Sequence, residues 1–129
     1  FETSGTFLTH QTEHTLQLGW DLHLEPDSPI RLMNHSCEPA AGVKTNARNL
    51  PDFYAFRDIK KGEEITFDYA MTEYAHYPRE DASLEFSLEC RCGAPSCRGK
   101  LGYYSELSDE IKTKYAGYVS AYLVRPQKG

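Results

Sequence analysis

The sequence predicts a small, mainly β domain of short strands, with a cysteine-rich segment and one helix towards the C-terminus. Three observations carry this expectation. Residues 15–24, TLQLGWDLHL, place Leu16, Leu18, Trp20, Leu22 and Leu24 at strict period two, the spacing of half-buried β-structure. Further short runs rich in β-branched and aromatic residues follow, separated by Gly, Pro, Asn and Asp, which is strand punctuation. Only the stretch after Ser108 repeats its apolar residues at helical spacing.

Taken in order, Gly19 can break the first run into a hairpin, and EPDSP (25–29) is turn-rich. VKTN (43–46) and FYAFR (53–57) read as strands joined by the loop ARNLPD. IKKGEEITFDYA turns at Lys61-Gly62 and runs into a strand through Ile65, Phe67 and Tyr69. Residues 71–87 are polar and contain Pro78, as expected of a connecting loop or a short helix. Ser108 is placed to cap a helix with Asp109 and Glu110 in its first turn, and Ile111, Tyr115, Tyr118, Val119 and Tyr122 supply its apolar face.

A chain of 129 residues makes one domain. With 40 % hydrophobic and 12 % aromatic residues it can build a core. No run approaches the roughly 18 apolar residues of a membrane span, so no membrane partner is expected. A formal charge of −5 argues against direct nucleic-acid binding. Acidic balance suits a basic partner such as a lysine-rich peptide, although mild acidity also serves solubility alone.

The cysteines raise a question of number. CRCGAPSCRG (90–99) supplies Cys90, Cys92 and Cys97, and the fourth cysteine is Cys37 in NHSCEP. A structural zinc site takes four ligands, and an all-cysteine site would use every thiol in the chain. Cys90 and Cys92, one residue apart, can turn towards one ion, and Gly93 and Pro95 can bring Cys97 round. Two other arrangements stand beside this one. Two disulfides are disfavoured because Cys90 and Cys92 can hardly bridge each other. Alternatively a histidine (His10, His14, His23, His35 or His76) is the fourth ligand and Cys37 a core thiol. Thioredoxin-type chemistry needs a CxxC pair, and none occurs.

RLMNHSCEP, KKGEEITFDY and CRCGAPSCRGKL, in this order, resemble the C-terminal half of a SET domain and its post-SET segment. The resemblance spans about residues 15–103, and the tail ELSDEIKTKYAGYVSAYL is similar to the ends of small bacterial-type SET proteins. It implies a β-clip-like SET fold, with a SET domain over 1–86, a post-SET zinc segment over 87–104 and a C-terminal helix and tail over 105–129. It also implies protein lysine methylation from S-adenosylmethionine. The NHSC cysteine commonly completes the post-SET zinc site in that family, so the resemblance implies Cys37, Cys90, Cys92 and Cys97 around one structural zinc ion.

The same resemblance assigns roles. Tyr69 matches the catalytic tyrosine, and Phe67, two positions earlier, matches a channel position where phenylalanine permits more than one methyl to be added. Asn34 and His35 match cofactor contacts, joined by Arg31 at the carboxylate end and Leu101 against the adenine. The implied partner is a lysine-containing protein or peptide, with histone as the family default. Reduced thiols imply an intracellular protein, cytoplasmic in a bacterium and nuclear in a eukaryote.

One part of the family pattern is missing. A complete SET domain opens with a Gly-rich segment that cradles the cofactor, whereas only Gly5 and Gly19 precede Asn34 and neither lies in a GxG. The chain also begins at Phe1, so the expectation is that residues upstream supply this segment. Were residues 1–129 the whole protein, the expectation becomes an inactive, zinc-stapled peptide-binding module, self-associated as a homodimer. A zinc-ribbon-like structural domain unconnected with methylation is a third alternative.

Overall fold

The computed structural model describes residues 2–8, 15–19, 22–74, 90, 92–99 and 103–124. The architecture is mostly β. Strands β1 (Gly5–Leu8), β2 (Leu16–Gln17) and β3 (His23–Pro26) form an antiparallel sheet in the order β1-β3-β2. The alternation at 15–24 is a hairpin, with Leu16 opposite Leu24 and Gln17 opposite His23. The Leu18 N–H closes it on the Leu22 carbonyl at 2.8 Å. Both faces of this ribbon are covered, for Leu16, Gln17, Leu18, His23 and Leu24 are all buried. Period two therefore marks strand here without marking a solvent face. Trp20 lies outside the described residues, as do Leu101, His10, His14, His76 and the expected boundary at residue 86.

Two further strand pairs build the centre. Strand β4 (Asn34–His35) runs parallel to β7 (Thr66–Phe67), pairing Asn34 with Thr66 and His35 with Phe67. Strand β5 (Ala41–Thr45) pairs antiparallel with β6 (Pro51–Ala55), so the predicted VKTN and FYAFR strands form one hairpin. Asn46 organises its loop, its side-chain oxygen accepting from the N–H groups of Arg48 and Leu50. The strand expected to reach Tyr69 stops at Phe67. Asp68 accepts the Ala70 N–H and turns the chain into a 3-10 helix over Tyr69–Met71, an Asp side chain competing with the ladder for its own backbone. Of the expected connector at 71–87, only residues 71–74 are described.

The C-terminal helix begins as predicted and ends early. Helix α1 covers Asp109–Lys114, its Ser108 hydroxyl accepting the Ile111 N–H. Gly117 follows at φ +84° and stops it, because that left-handed backbone is open to glycine and strained for other residues. Tyr118, Val119 and Tyr122 lie beyond α1, leading into a 3-10 turn over Ala121–Val124. They pack as a docked tail. The Val43 N–H donates to the Tyr118 carbonyl at 3.0 Å, the Ser120 N–H to Met71 at 2.8 Å, and the Tyr122 hydroxyl to Thr72. The approach is so close that a Cβ on Gly42 would stand 2.6 Å from the Tyr118 ring.

One core joins these parts. Val43, Phe53, Phe67, Met71, Tyr115 and Tyr122 are among its buried members, and it draws on β5, β6, β7 and the tail together. Burying a side chain such as Phe67 stabilises the fold by about 1.5–3 kcal/mol. β4 and β7 thus sit on a packed floor, with residues 34–38 and 68–71 held at its edge.

Candidate active site and metal centre

The four cysteine sulfurs lie within 4.8 Å of one another. Cys37 follows β4, while Cys90, Cys92 and Cys97 come from the arm 53 or more residues later, and Cys37 Sγ is 3.8 Å from Cys90 Sγ. All four are free thiols, so the disulfide arrangement does not occur. Their surroundings suit thiolates. Cys37 Sγ accepts the Arg98 N–H at 3.3 Å, Cys92 Sγ accepts the Cys37 N–H at 3.5 Å, and Cys97 Sγ accepts the Gly99 N–H at 3.4 Å. Gly93 and Gly99, at φ +77° and +80°, let the arm fold tightly enough to aim these groups. Four sulfurs at this spacing, three of them accepting N–H donors, fit a tetrahedral zinc site of four thiolates.

The sulfurs differ in their electrostatic setting. Burial pushes the Cys37 thiol up to about 12, against the opposing N–H and charge of Arg98. Cys92 moves down to about 6, because N–H groups of Cys37 and Ala94 overcome the effect of its burial. A divalent ion held by these residues would keep all four as thiolates.

His35 adjoins the cysteine cluster. Its Nδ1 accepts the Tyr69 N–H at 3.1 Å, so the proton of the neutral ring sits on Nε2 and is directed at Cys37 Sγ, 3.3 Å away. Burial lowers the pKa of His35 against the pull of Asp68 and keeps the ring neutral. Both nitrogens are thereby engaged within the protein, one on a metal ligand and one on the backbone of Tyr69. Such support orients ligands around metals generally.

Tyr69 is half-buried, and its hydroxyl donates to the Met33 carbonyl at 3.1 Å. Burial raises its pKa. Its ring meets His35 edge-on at 5.2 Å between centroids and Phe67 at 5.0 Å. Phe67 is 2 % exposed and packs edge-on against Phe53, so it is core and Tyr69 neighbour at once.

Tyr69 also lines a cleft of about 580 Å³, together with Asn34, His35, Ser36, Glu38 and Cys92. Arg57, Glu63, Glu64 and Thr66 line it as well. Asn34 is exposed there and donates to Glu64 Oε2 at 2.6 Å. Arg57 pairs with Glu63, which leaves Glu38 and Glu64 to give the wall a negative character. Of the expected cofactor residues, Asn34 and His35 border the cleft; Arg31 is exposed on the 3-10 turn over Ile30–Leu32 and is not part of its lining.

Sequence reasoning passed over Arg98 and took Tyr115 only as part of a helix's apolar face. Asp68 is wholly buried, and Arg98 grips it with both arms of the guanidinium, at 2.7 and 2.8 Å. The Tyr115 hydroxyl adds a third contact at 2.8 Å. Burial alone would lower the Arg98 pKa, but the bond to Asp68 prevails and raises it. Tyr115 is raised by burial and then by the Asp68 charge. No local pattern announces a contact between residues 30 and 47 positions apart; the one available clue was an arginine directly beside a ligand cysteine.

The family model for the SET domain matches residues 5–70, half of the chain, and the chain belongs to the SET-domain family. It carries a four-cysteine cluster of post-SET type. Among curated relatives it is 38 % identical over 74 residues to histone-lysine N-methyltransferase Su(var)3-9 of Drosophila pseudoobscura pseudoobscura, covering 51 % of this chain and 12 % of that protein. It is 42 % identical over 74 residues to the H3 lysine-4 specific histone-lysine N-methyltransferase of Kluyveromyces lactis, covering 55 % and 7 %. The matches therefore span a small part of these relatives. The crystal structure of KRYPTONITE in complex with mCHG DNA and SAH superposes with a TM-score of 0.56 at 23 % identity, over 78 % of this chain and 23 % of that one. At that identity the likeness is one of fold.

Proposed function

We propose that this chain belongs to an S-adenosylmethionine-dependent protein lysine N-methyltransferase, in which Tyr69 acts on the incoming amine. The observation that carries the reading is the meeting of Tyr69, the acidic cleft and the cysteine cluster at the end of one parallel strand pair. A cleft of this volume is in the range that holds a cofactor-sized ligand, and the carboxylates of Glu38 and Glu64 on its wall suit a positively charged one. Asn34 and the backbone around His35 would hold S-adenosylmethionine. When bound, that cofactor supplies an electrophilic methyl group on a sulfonium centre.

The chain's own residues do the remaining work. Lysine, with a pKa near 10.4, must shed a proton before its amine is nucleophilic, and a dry aromatic wall disfavours the ammonium form. Tyr69 lines the cleft, and Phe67 and Phe53 pack behind its ring. Because burial raises the Tyr69 pKa, its phenol stays protonated at neutral pH and is no general base. Its proton is spent on the Met33 carbonyl, which leaves oxygen lone pairs to accept an amine N–H and fix the nucleophile's direction. With phenylalanine at 67, no second hydroxyl stands beside that amine, so addition of more than one methyl is open to this site.

The cysteine cluster is assigned a structural zinc. Four protein ligands fill a tetrahedral ion and leave no position for chemistry. The substrate is a lysine-bearing segment of a basic protein, with histone the proposed class.

Incubation with methyl-labelled S-adenosylmethionine and a lysine-rich histone-tail peptide tests the reading. Label on the peptide lysine, together with saturable cofactor binding by calorimetry, is expected. Cofactor binding without transfer, or no binding, would replace it with the inactive zinc-held peptide-binding module.

A further inference from the structure

The cysteine cluster brings Cys37 to the arm, yet no cysteine of it lies in residues 68–71, where Tyr69 sits. Arg98 reaches that segment. Its backbone N–H donates to Cys37 Sγ at 3.3 Å, and its guanidinium forks onto Asp68, the residue before Tyr69. One residue of the arm thus bonds a metal ligand through its main chain and the Tyr69 segment through its side chain.

The Asp68 carboxylate is fully engaged. Oδ1 accepts Arg98 at 2.8 Å and the Ala70 N–H at 3.0 Å, while Oδ2 accepts Arg98 at 2.7 Å and the Tyr115 hydroxyl at 2.8 Å. Four donors on two oxygens fix its plane. That plane matters because the Oδ1 bond to Ala70 caps the turn on which Tyr69 is the first residue. His35 holds the Tyr69 N–H from the other side. The Tyr69 backbone is therefore clamped between two side chains that each lead back to Cys37, one through its own ring nitrogen and one through Arg98.

We propose that Arg98 is a positioning residue that makes docking of the cysteine arm and ordering of the Tyr69 turn a single event. When the arm lifts, Arg98 leaves and a wholly buried carboxylate loses its cation, which loosens the Ala70 cap. An open arm then carries a misplaced Tyr69 hydroxyl, and the site is assembled only with the arm closed. This rests on the assignment of Tyr69 above for its catalytic consequence, but not for the coupling itself.

Arg98→Met alone strands the Asp68 charge and can unfold the protein, so the test uses the Asp68→Asn/Arg98→Met pair, which removes both charges and keeps the Asn oxygen for Ala70. The zinc-loaded parent and double variant are compared by zinc content, by amide hydrogen exchange and by methyl transfer. One zinc per chain and a parent-like exchange rate at Val43 are expected, with Tyr69 and Ala70 amides exchanging at least about tenfold faster. A kcat about tenfold or more below parent, with peptide KM little changed, is expected alongside. Unchanged exchange at Tyr69 and Ala70 would overturn the proposal and leave Arg98 a stabilising ion pair. Should the parent transfer no methyl group, the functional reading falls, and the exchange rates still decide the coupling.

Discussion

Tyr115→Phe deletes one oxygen and nothing else from a buried polar site. Tyr115 is 1 % exposed, and its ring packs edge-on to Phe56 at 5.5 Å between centroids. That packing survives the substitution. What is lost is the 2.8 Å bond to a carboxylate that water cannot reach, Asp68 being 0 % exposed, and a longer 3.5 Å contact to the Cys37 carbonyl. A hydrogen bond to a charged group is worth about 1.5–3 kcal/mol. Arg98 and Ala70 still hold the carboxylate, so the lower half of that range applies, about 1.5–2 kcal/mol. For a domain of this size that lowers Tm by roughly 5–10 °C. Urea unfolding of zinc-loaded parent and variant measures it, with Tyr54→Phe as control, since Tyr54 is 49 % exposed. A Tyr115→Phe loss below about 0.5 kcal/mol, no larger than ordinary surface substitutions, would refute the argument that this phenol is needed to satisfy Asp68.

Tyr69→Phe should abolish methyl transfer, while lowering stability only by the roughly 1 kcal/mol of its Met33 bond; turnover near parent level would remove the hydroxyl from the mechanism. Cys37→Ser removes the ligand that joins β4 to the arm, so zinc affinity and Tm should fall together; parent-like zinc binding would mean that another residue is the fourth ligand. Alkali should destabilise the fold in a definite window. Tyr69 and Tyr115 are both held above the ordinary tyrosine value, so the unfolded chain ionises first. Their contribution is full below pH about 10 and falls by up to about 1.4 kcal/mol per pH unit for each group above it. A flat stability profile from pH 9 to about 11 would contradict this.

Much of the fold was legible because it is written in local pattern. The hairpin of β5 and β6 announced itself through two β-rich runs around Asn and Pro. Ser108 announced α1 through capping, which is also local. The length of α1 was not legible. Tyr118, Val119 and Tyr122 keep helical spacing, but Gly117 at φ +84° breaks the backbone before them, and docking on Gly42 and Val43 fixes them instead. The cysteine cluster was readable in part: count and spacing left disulfides and a histidine ligand open, and the resemblance supplied the four-cysteine set that the structure brings together. His35 was read as a cofactor contact or a spare ligand, while the bonds of its ring to Tyr69 and Cys37 depend on how β4 and β7 pair. The Arg98–Asp68–Tyr115 cluster was illegible for the same reason. Its members meet only after three separate segments have folded, and burial turns a common charge pair into a decisive one.

X-ray absorption at the zinc edge of the loaded protein bears most directly on the proposal that Cys37, Cys90, Cys92 and Cys97 share one ion. The expected first shell is four sulfurs at about 2.3 Å. A shell of three sulfurs with one nitrogen at about 2.0–2.1 Å would place a histidine where Cys37 is assigned. A chain that holds no zinc tightly would separate β4 from the arm and dissolve the site.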